Sequence, residues 1–225
     1  MIEKRLHHGA EDAKVSWGPT GLRFASGGAD GIVRVWSHAK AERILEIQVH
    51  DKPILKVVFL DDGDRIVSVS ADRTVRICSL RSQRCISILE GHTGQVNSAA
   101  ISPNKRWLIS ASEDCTLRVW DLGTGQCVRT LEGHCAIVWR VALSSDSGIV
   151  ASGSADNAVR LWKLDTGECL QELKHPDCVA AVTFSPDGKR LVVGCDDSRV
   201  YVYSLVGVAD GGDIKTEVSA STSAV

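Results

Sequence analysis

An aspartate recurs along the chain at Asp30, Asp72, Asp114, Asp156 and Asp197, in steps of 42, 42, 42 and 41 residues. A histidine precedes each of them by 22 residues: His8, His50, His92, His134 and His175. A period of this length means stacked copies of one supersecondary unit, because each copy can bury its apolar face only against a neighbour. Five copies leave little of the 225 residues outside the repeats, so one architecture accounts for nearly the whole chain.

The third copy shows what the unit is. Gln95–Ile101 reads as a strand closed by the turn residues Ser102-Pro103-Asn104, and Trp107–Ser112 as a second strand ending at the tight turn Glu113-Asp114-Cys115. Thr116–Trp120 is a third strand, with Leu117 and Val119 on one face and Arg118 and Trp120 on the other. Gly123-Thr124-Gly125 is a turn, and Cys127–Leu131 a fourth strand. Four short antiparallel strands in about 40–45 residues make the blade of a β-propeller.

The stretches GHTGQV, SPNKRWLISASEDCTLRVWDL, GHCAIV and SGSADNAVRLWKL resemble the WD-repeat family, whose Trp-Asp signature stands here as Trp120-Asp121. The resemblance runs from about His8 to Leu205. It implies an all-β propeller of four-stranded antiparallel blades with five WD repeats, over residues 1–205 in units of about 8–49, 50–91, 92–133, 134–174 and 175–205. Residues 206–225, rich in Gly, Ser, Ala and Thr, are expected to form a disordered tail. Five units are fewer than the family's usual seven. The chain is therefore either part of a larger propeller or a five-bladed ring, with Ile2–Leu6 supplying the outer strand of unit five. The first unit carries Asp12 where other first strands are apolar, so its opening strand should be irregular.

Each of the first four units contains a His, a Ser and an Asp, but a catalytic triad needs one exposed nucleophile and one oxyanion hole, and neither recurs four times in a chain. The resemblance implies a buried structural relay instead, in which Asp orients His, His meets Ser, and Ser meets a Trp indole. Its members are His8, Ser26, Asp30 and Trp36; His50, Ser68 and Asp72; His92, Ser110, Asp114 and Trp120; His134, Ser152, Asp156 and Trp162; and His175 and Asp197. Cys78 stands in the Trp position of unit two, and Val193 and Tyr203 replace Ser and Trp in unit five, so these two units should be the weak ones. The arginines Arg34, Arg76, Arg118 and Arg160 repeat at the same step and are expected to pack by their stems.

Composition narrows the function. Lys and Arg number 26 against 28 Asp and Glu, without a basic tract, so nothing points to nucleic acid. No apolar run approaches the roughly 20 residues of a membrane helix. The opening MIEKRLHHGAEDAK lacks the apolar core of a secretory signal, and a cytoplasmic or nuclear location is expected. The eight cysteines show no metal-ligand spacing, and Cys85, Cys127 and Cys169 occupy one slot in successive units. They read as reduced packing residues, with no disulfide, metal or cofactor.

These features describe a non-catalytic scaffold that binds a protein or peptide on the face bearing the His loops and Asp turns. The alternatives are a fragment of a larger propeller without a function of its own and, further off, a small-molecule-binding or catalytic propeller. In proteins this chain resembles, partners meet residues three and five after the His and one before the Asp. Those positions nominate Ile137, Trp139, Leu55, Gln95, Asn97, Glu113 and Asp196. Trp139 is either an exposed anchor for a partner or core between blades. Self-association through unclosed end blades is a further expectation.

Overall fold

The computed structural model describes residues 8–60, 63–206 and 215–219. They form five four-stranded antiparallel sheets and no helix, distributed over two compact units, residues 1–97 and 98–225. The first unit holds sheet one, β1 (Lys14–Trp17), β2 (Arg23–Gly27), β3 (Ile32–Ser37) and β4 (Glu42–Gln48). It also holds sheet two, β5 (Ile54–Phe59), β6 (Arg65–Ser70), β7 (Val75–Ser79) and β8 (Arg84–Leu89). The boundary falls inside β9 (Val96–Ile101), which pairs with β10 (Trp107–Ser112), β11 (Leu117–Asp121) and β12 (Cys127–Leu131) as sheet three. Sheet four is β13 (Val138–Leu143), β14 (Ile149–Ser154), β15 (Ala158–Lys163) and β16 (Cys169–Lys174). Sheet five is β17 (Val179–Phe184), β18 (Arg190–Cys195), β19 (Val200–Val206) and β20 (Lys215–Ser219).

The recurring aspartates make the turn between the second and third strands. In all five sheets the residue after the Asp has a positive φ: Gly31, Arg73, Cys115, Asn157 and Ser198, at 72°, 73°, 68°, 63° and 65°. Non-glycine residues adopt this region at a cost. Here the Asp side chain offsets it by accepting from the amide two residues on, as Asp72 Oδ1 does from Thr74 at 2.9 Å and Asp156 Oδ1 from Ala158 at 3.1 Å. Gly31 has a second reason for lacking a side chain, since a Cβ there would meet the carbonyl oxygen of His50.

Within each unit the first strand of one sheet packs on the preceding sheet. Ile54, Val57 and Phe59 of β5 join Ala25, Val33 and Val35 in one apolar cluster. Val138 and Val141 of β13 join Ala111, Leu117 and Val119, and Val179 and Val182 of β17 join Ala151, Val159 and Leu161. Most of these are less than 5% exposed, and each such side chain contributes roughly 1.5–3 kcal/mol by burial.

Several expectations need correction. Residues 206–225 are not all without structure, because Lys215–Ser219 completes sheet five as its fourth strand against β19. That position was the one expected of Ile2–Leu6, which lie outside the described residues. The reading of all eight cysteines as reduced fails for one pair, while the other six are free. Cys78 and Cys85 are directly opposite on β7 and β8 and form a disulfide. The 42-residue spacing compares one slot across different sheets and so passes over a partner within the same sheet. Cys127 and Cys169, in the Cys85 slot, face Trp120 and Trp162 and are partly or fully exposed rather than core. The irregular start of sheet one is present: β1 begins at Lys14, and Asp12 just before it has φ 55°.

Candidate functional site

A complete polar relay is found in sheet four. His134, its side chain wholly buried, places Nδ1 2.8 Å from Asp156 Oδ2 and Nε2 2.7 Å from Ser152 Oγ. Trp162 Nε1 then donates to the same Ser152 Oγ at 2.8 Å. Asp156 divides its two oxygens, Oδ1 to the turn amide and Oδ2 to the histidine. Burial drives the His134 pKa below 6.5, more strongly than Asp156 raises it. Burial pushes the other way on Asp156, but hydrogen bonds from His134 and Arg160 prevail and bring its pKa from 3.8 to about 2. A neutral imidazole protonated on Nδ1 lets every group be satisfied at once. Ser152 is 0% exposed and already used twice, so no substrate reaches its hydroxyl.

Sheets one, two and five depart from this pattern in ways the sequence only partly announces. Sheet two keeps His50–Asp72 at 2.7 Å and His50–Ser68 at 2.8 Å without an indole. In sheet three Trp120 donates to Ser110 at 2.8 Å, and His92 is buried. Sheet one was expected to be intact, yet among the described residues both ring nitrogens of His8 are buried without a hydrogen-bond partner. Its Asp30 pairs with Arg34 at 2.7 Å instead, while Trp36 still donates to Ser26. Burial, then the charge of Arg34, lower the His8 pKa; the Ala10 backbone favours the charged ring but makes no well-formed hydrogen bond to it. Sheet five was expected to be weak, but Tyr203 Oη lies 3.0 Å from His175 Nε2 and Leu173 O accepts from Nδ1 at 3.1 Å. Asp197 there accepts from Tyr201 Oη at 2.7 Å.

The recurring arginines do more than pack by their stems. Arg160 bridges Asp156 at 2.8 Å and Glu172 at 2.9 Å, and Arg34 bridges Asp30 and Glu46, both at 2.7 Å. Their partners Glu46 and Glu172 lie on the fourth strands β4 and β16. The side chain therefore ties the Asp turn to the edge of its own sheet.

The loop face is built by a repeated backbone bond. The amide of the residue before the Asp donates to the carbonyl of the residue three after the His: Ala29 to Glu11, Ala71 to Pro53, Ala155 to Ile137 and Asp196 to Cys178, at 2.9–3.2 Å. Just beyond, the first strand carries a bulge at the residue five after the His. The register shifts between Ile54 and Lys56, between Val138 and Arg140, and between Val179 and Ala181. An unpaired bulge residue is re-aimed out of the ladder, and in these three strands it is Leu55, Trp139 or Ala180.

In the second unit this device opens a cleft of about 350 Å³ lined by Trp139, Arg140, Ala155, Cys178, Ala180 and Asp196. Five of the six occupy the positions three or five after a His, or one before an Asp. Trp139 is partly buried and shares the cleft lining with Cys178. Burial, with the nearby Asp196 charge, pushes the Cys178 thiol pKa up and keeps it protonated. Of the nominated residues, the cleft joins Trp139 and Asp196. Ile137 is partly buried and supplies the carbonyl that holds Ala155, and Glu113 is partly buried in the turn of sheet three. Leu55 and Gln95 are partly buried in the first unit, whereas Asn97 is 7% exposed and does not form a rim. Arg140 escaped the sequence reading because only the bulge at Trp139 brings its neighbour to this face.

Five segments match a family model described as "WD domain, G-beta repeat": residues 7–37, 41–79, 83–121, 125–163 and 167–204. The second to fifth segments each begin with the outer strand of one sheet and continue through the first three strands of the next. No curated protein is significantly similar to the chain.

Proposed function

Because the chain belongs to the WD-repeat family, whose members generally serve as non-catalytic protein-interaction scaffolds, we propose that it is a scaffold that captures a peptide or protein segment in the Trp139 cleft. The observation that carries this reading is the bulge at Trp139, which turns a large aromatic side chain out of the strand ladder and into a concave site. The indole face and the methyl groups of Ala155 and Ala180 offer an apolar seat, with a cation at Arg140 and a carboxylate at Asp196 beside it. This composition suits an apolar anchor residue whose flanking peptide groups hydrogen-bond the charged pair. The buried serines leave the relays without a free nucleophile, so the reading assigns no catalysis to them.

The test is capture from a lysate by the wild-type chain and by Trp139→Ala, with identification of what is retained. Trp139→Ala should release the partner, at a cost of about 2 kcal/mol or more in binding. Its urea unfolding midpoint should stay near that of the wild type. A variant that binds normally but loses roughly 3–5 kcal/mol of stability would make Trp139 a core residue and end the proposal.

A further inference from the structure

In sheets one and four the recurring arginine meets an acid directly opposite it on the outer strand. Arg34 is in register with Glu46, and its Nε lies 2.7 Å from Glu46 Oε1. Arg160 is in register with Glu172, and its Nη2 lies 2.9 Å from Glu172 Oε2. Sheet two has Ile88 in the acid's place, and there the arginine turns to other acceptors. Arg76 Nε donates to Thr74 Oγ1 at 3.2 Å and Nη1 to Val49 O at 2.6 Å.

Sheet three follows neither course. The residue opposite Arg118 is Thr130, and β12, Cys127–Leu131, contains no acid at all. Arg118 Nε is buried and, among the described residues, has no hydrogen-bond partner. Its Nη1 reaches the Cys127 sulfur at 3.7 Å, a weak acceptor. A buried cationic donor without an acceptor is unfavourable, so this sheet is short of an anion at the position where two of its counterparts have one.

Thr130 can supply it. The residue is exposed on the edge strand of sheet three, where a modifying enzyme can reach its hydroxyl. In a phosphothreonine the terminal oxygens follow Cβ through Oγ1 and phosphorus, as the carboxylate oxygens of Glu follow it through Cγ and Cδ. The side chain then has the reach of Glu46 or Glu172 with more charge, and a guanidinium binds such oxygens well.

We propose that Thr130 is a phosphorylation site, and that its phosphate completes in sheet three the arginine–acid bridge that Glu46 and Glu172 make in sheets one and four. A protein kinase transfers the γ-phosphoryl group of ATP to Thr130 Oγ1. The bond from phosphorus to the ADP oxygen breaks as the new ester bond forms, and the hydroxyl proton passes to the kinase's base. The product pins β12 to Arg118 of β11, which the unmodified chain does not do. The inference is independent of the Trp139 cleft.

Urea unfolding reads the bridge. Thr130→Glu should have a higher midpoint than Thr130→Gln, which has the same length without the charge. With Arg118→Gln added to both chains the difference should vanish. Equal midpoints for the two single variants, or a difference that survives the loss of Arg118, would show that no bridge forms and overturn the proposal. For the modification itself, the wild-type chain is incubated with ATP and a lysate of the cells it comes from, and its phosphopeptides are mapped by mass spectrometry. Phosphate should appear on Thr130, and the phosphorylated chain should unfold at a higher urea concentration than the unmodified one. A chain without phosphate at Thr130, or a phosphorylated chain whose midpoint is unchanged, equally overturns it.

Discussion

His8 and His134 hold the same slot, and replacing each by alanine should have very different consequences. His134→Ala removes a hydrogen bond to a carboxylate at 2.8 Å and one to a hydroxyl at 2.7 Å, both wholly buried on the histidine side. The first is worth roughly 1.5–3 kcal/mol and the second roughly 0.5–1.5. The loss should total about 3 kcal/mol, since Arg160 continues to serve Asp156 and Trp162 continues to serve Ser152. His8→Ala removes no hydrogen bond among the described residues. It gives up ring contact with Trp36 at 6.5 Å between centroids, and it relieves two desolvated nitrogens, so the net change should lie within about 1 kcal/mol of zero. Urea unfolding of the two variants beside the wild type, followed by tryptophan fluorescence, measures the difference. Equal losses would show that the slot itself, and not its hydrogen bonds, sets the contribution.

Acid should weaken the protein in two stages. His50 and His134 have folded pKa values below 6.5 because burial disfavours their charged forms, so their contribution is complete above pH 6.5 and declines as pH falls from there toward the folded values. Asp156 contributes above pH 3.8, and about 2 kcal/mol is lost between 3.8 and about 2; urea midpoints that are flat from pH 7 to 5 would contradict the first stage. Alkylation under denaturing conditions without reductant should label the six free cysteines, and all eight only after reduction. Mass spectrometry showing eight labels at once would remove the Cys78–Cys85 bond.

The repeat period carries most of the architecture, because a 42-residue step and alternating apolar residues leave few other ways to bury each unit. Trp107–Ser112 and Cys127–Leu131 are strands with the limits that their turn residues imply. What escapes is whatever composition does not write, and whatever breaks equivalence between copies. A bulge inserts a residue into one strand without changing composition, so the orientation of Trp139 and the exposure of Arg140 belong to the backbone alone. His8 matches its pattern yet makes no hydrogen bond to its Asp, which pairs with Arg34. His175 lacks its Ser and Trp, yet the Tyr203 hydroxyl reaches the ring from the Trp position. Substitution at one relay position says little until the geometry shows which atom arrives in its place.

Each matched segment from the second onward hands its first strand to the preceding sheet, so no segment is a self-sufficient folding module. Duplicating or deleting one segment still leaves every interior sheet with four strands, since the strand removed from one side is replaced by its counterpart from the other. Gene-level gain and loss are thereby decoupled from damage to the fold. The terminal sheet is the exception: its fourth strand, Lys215–Ser219, lies beyond the last matched segment at residue 204. That strand is free to diverge from the repeat pattern, and a cut between β19 and β20 would detach the edge of one sheet while leaving all five matched segments covalently whole.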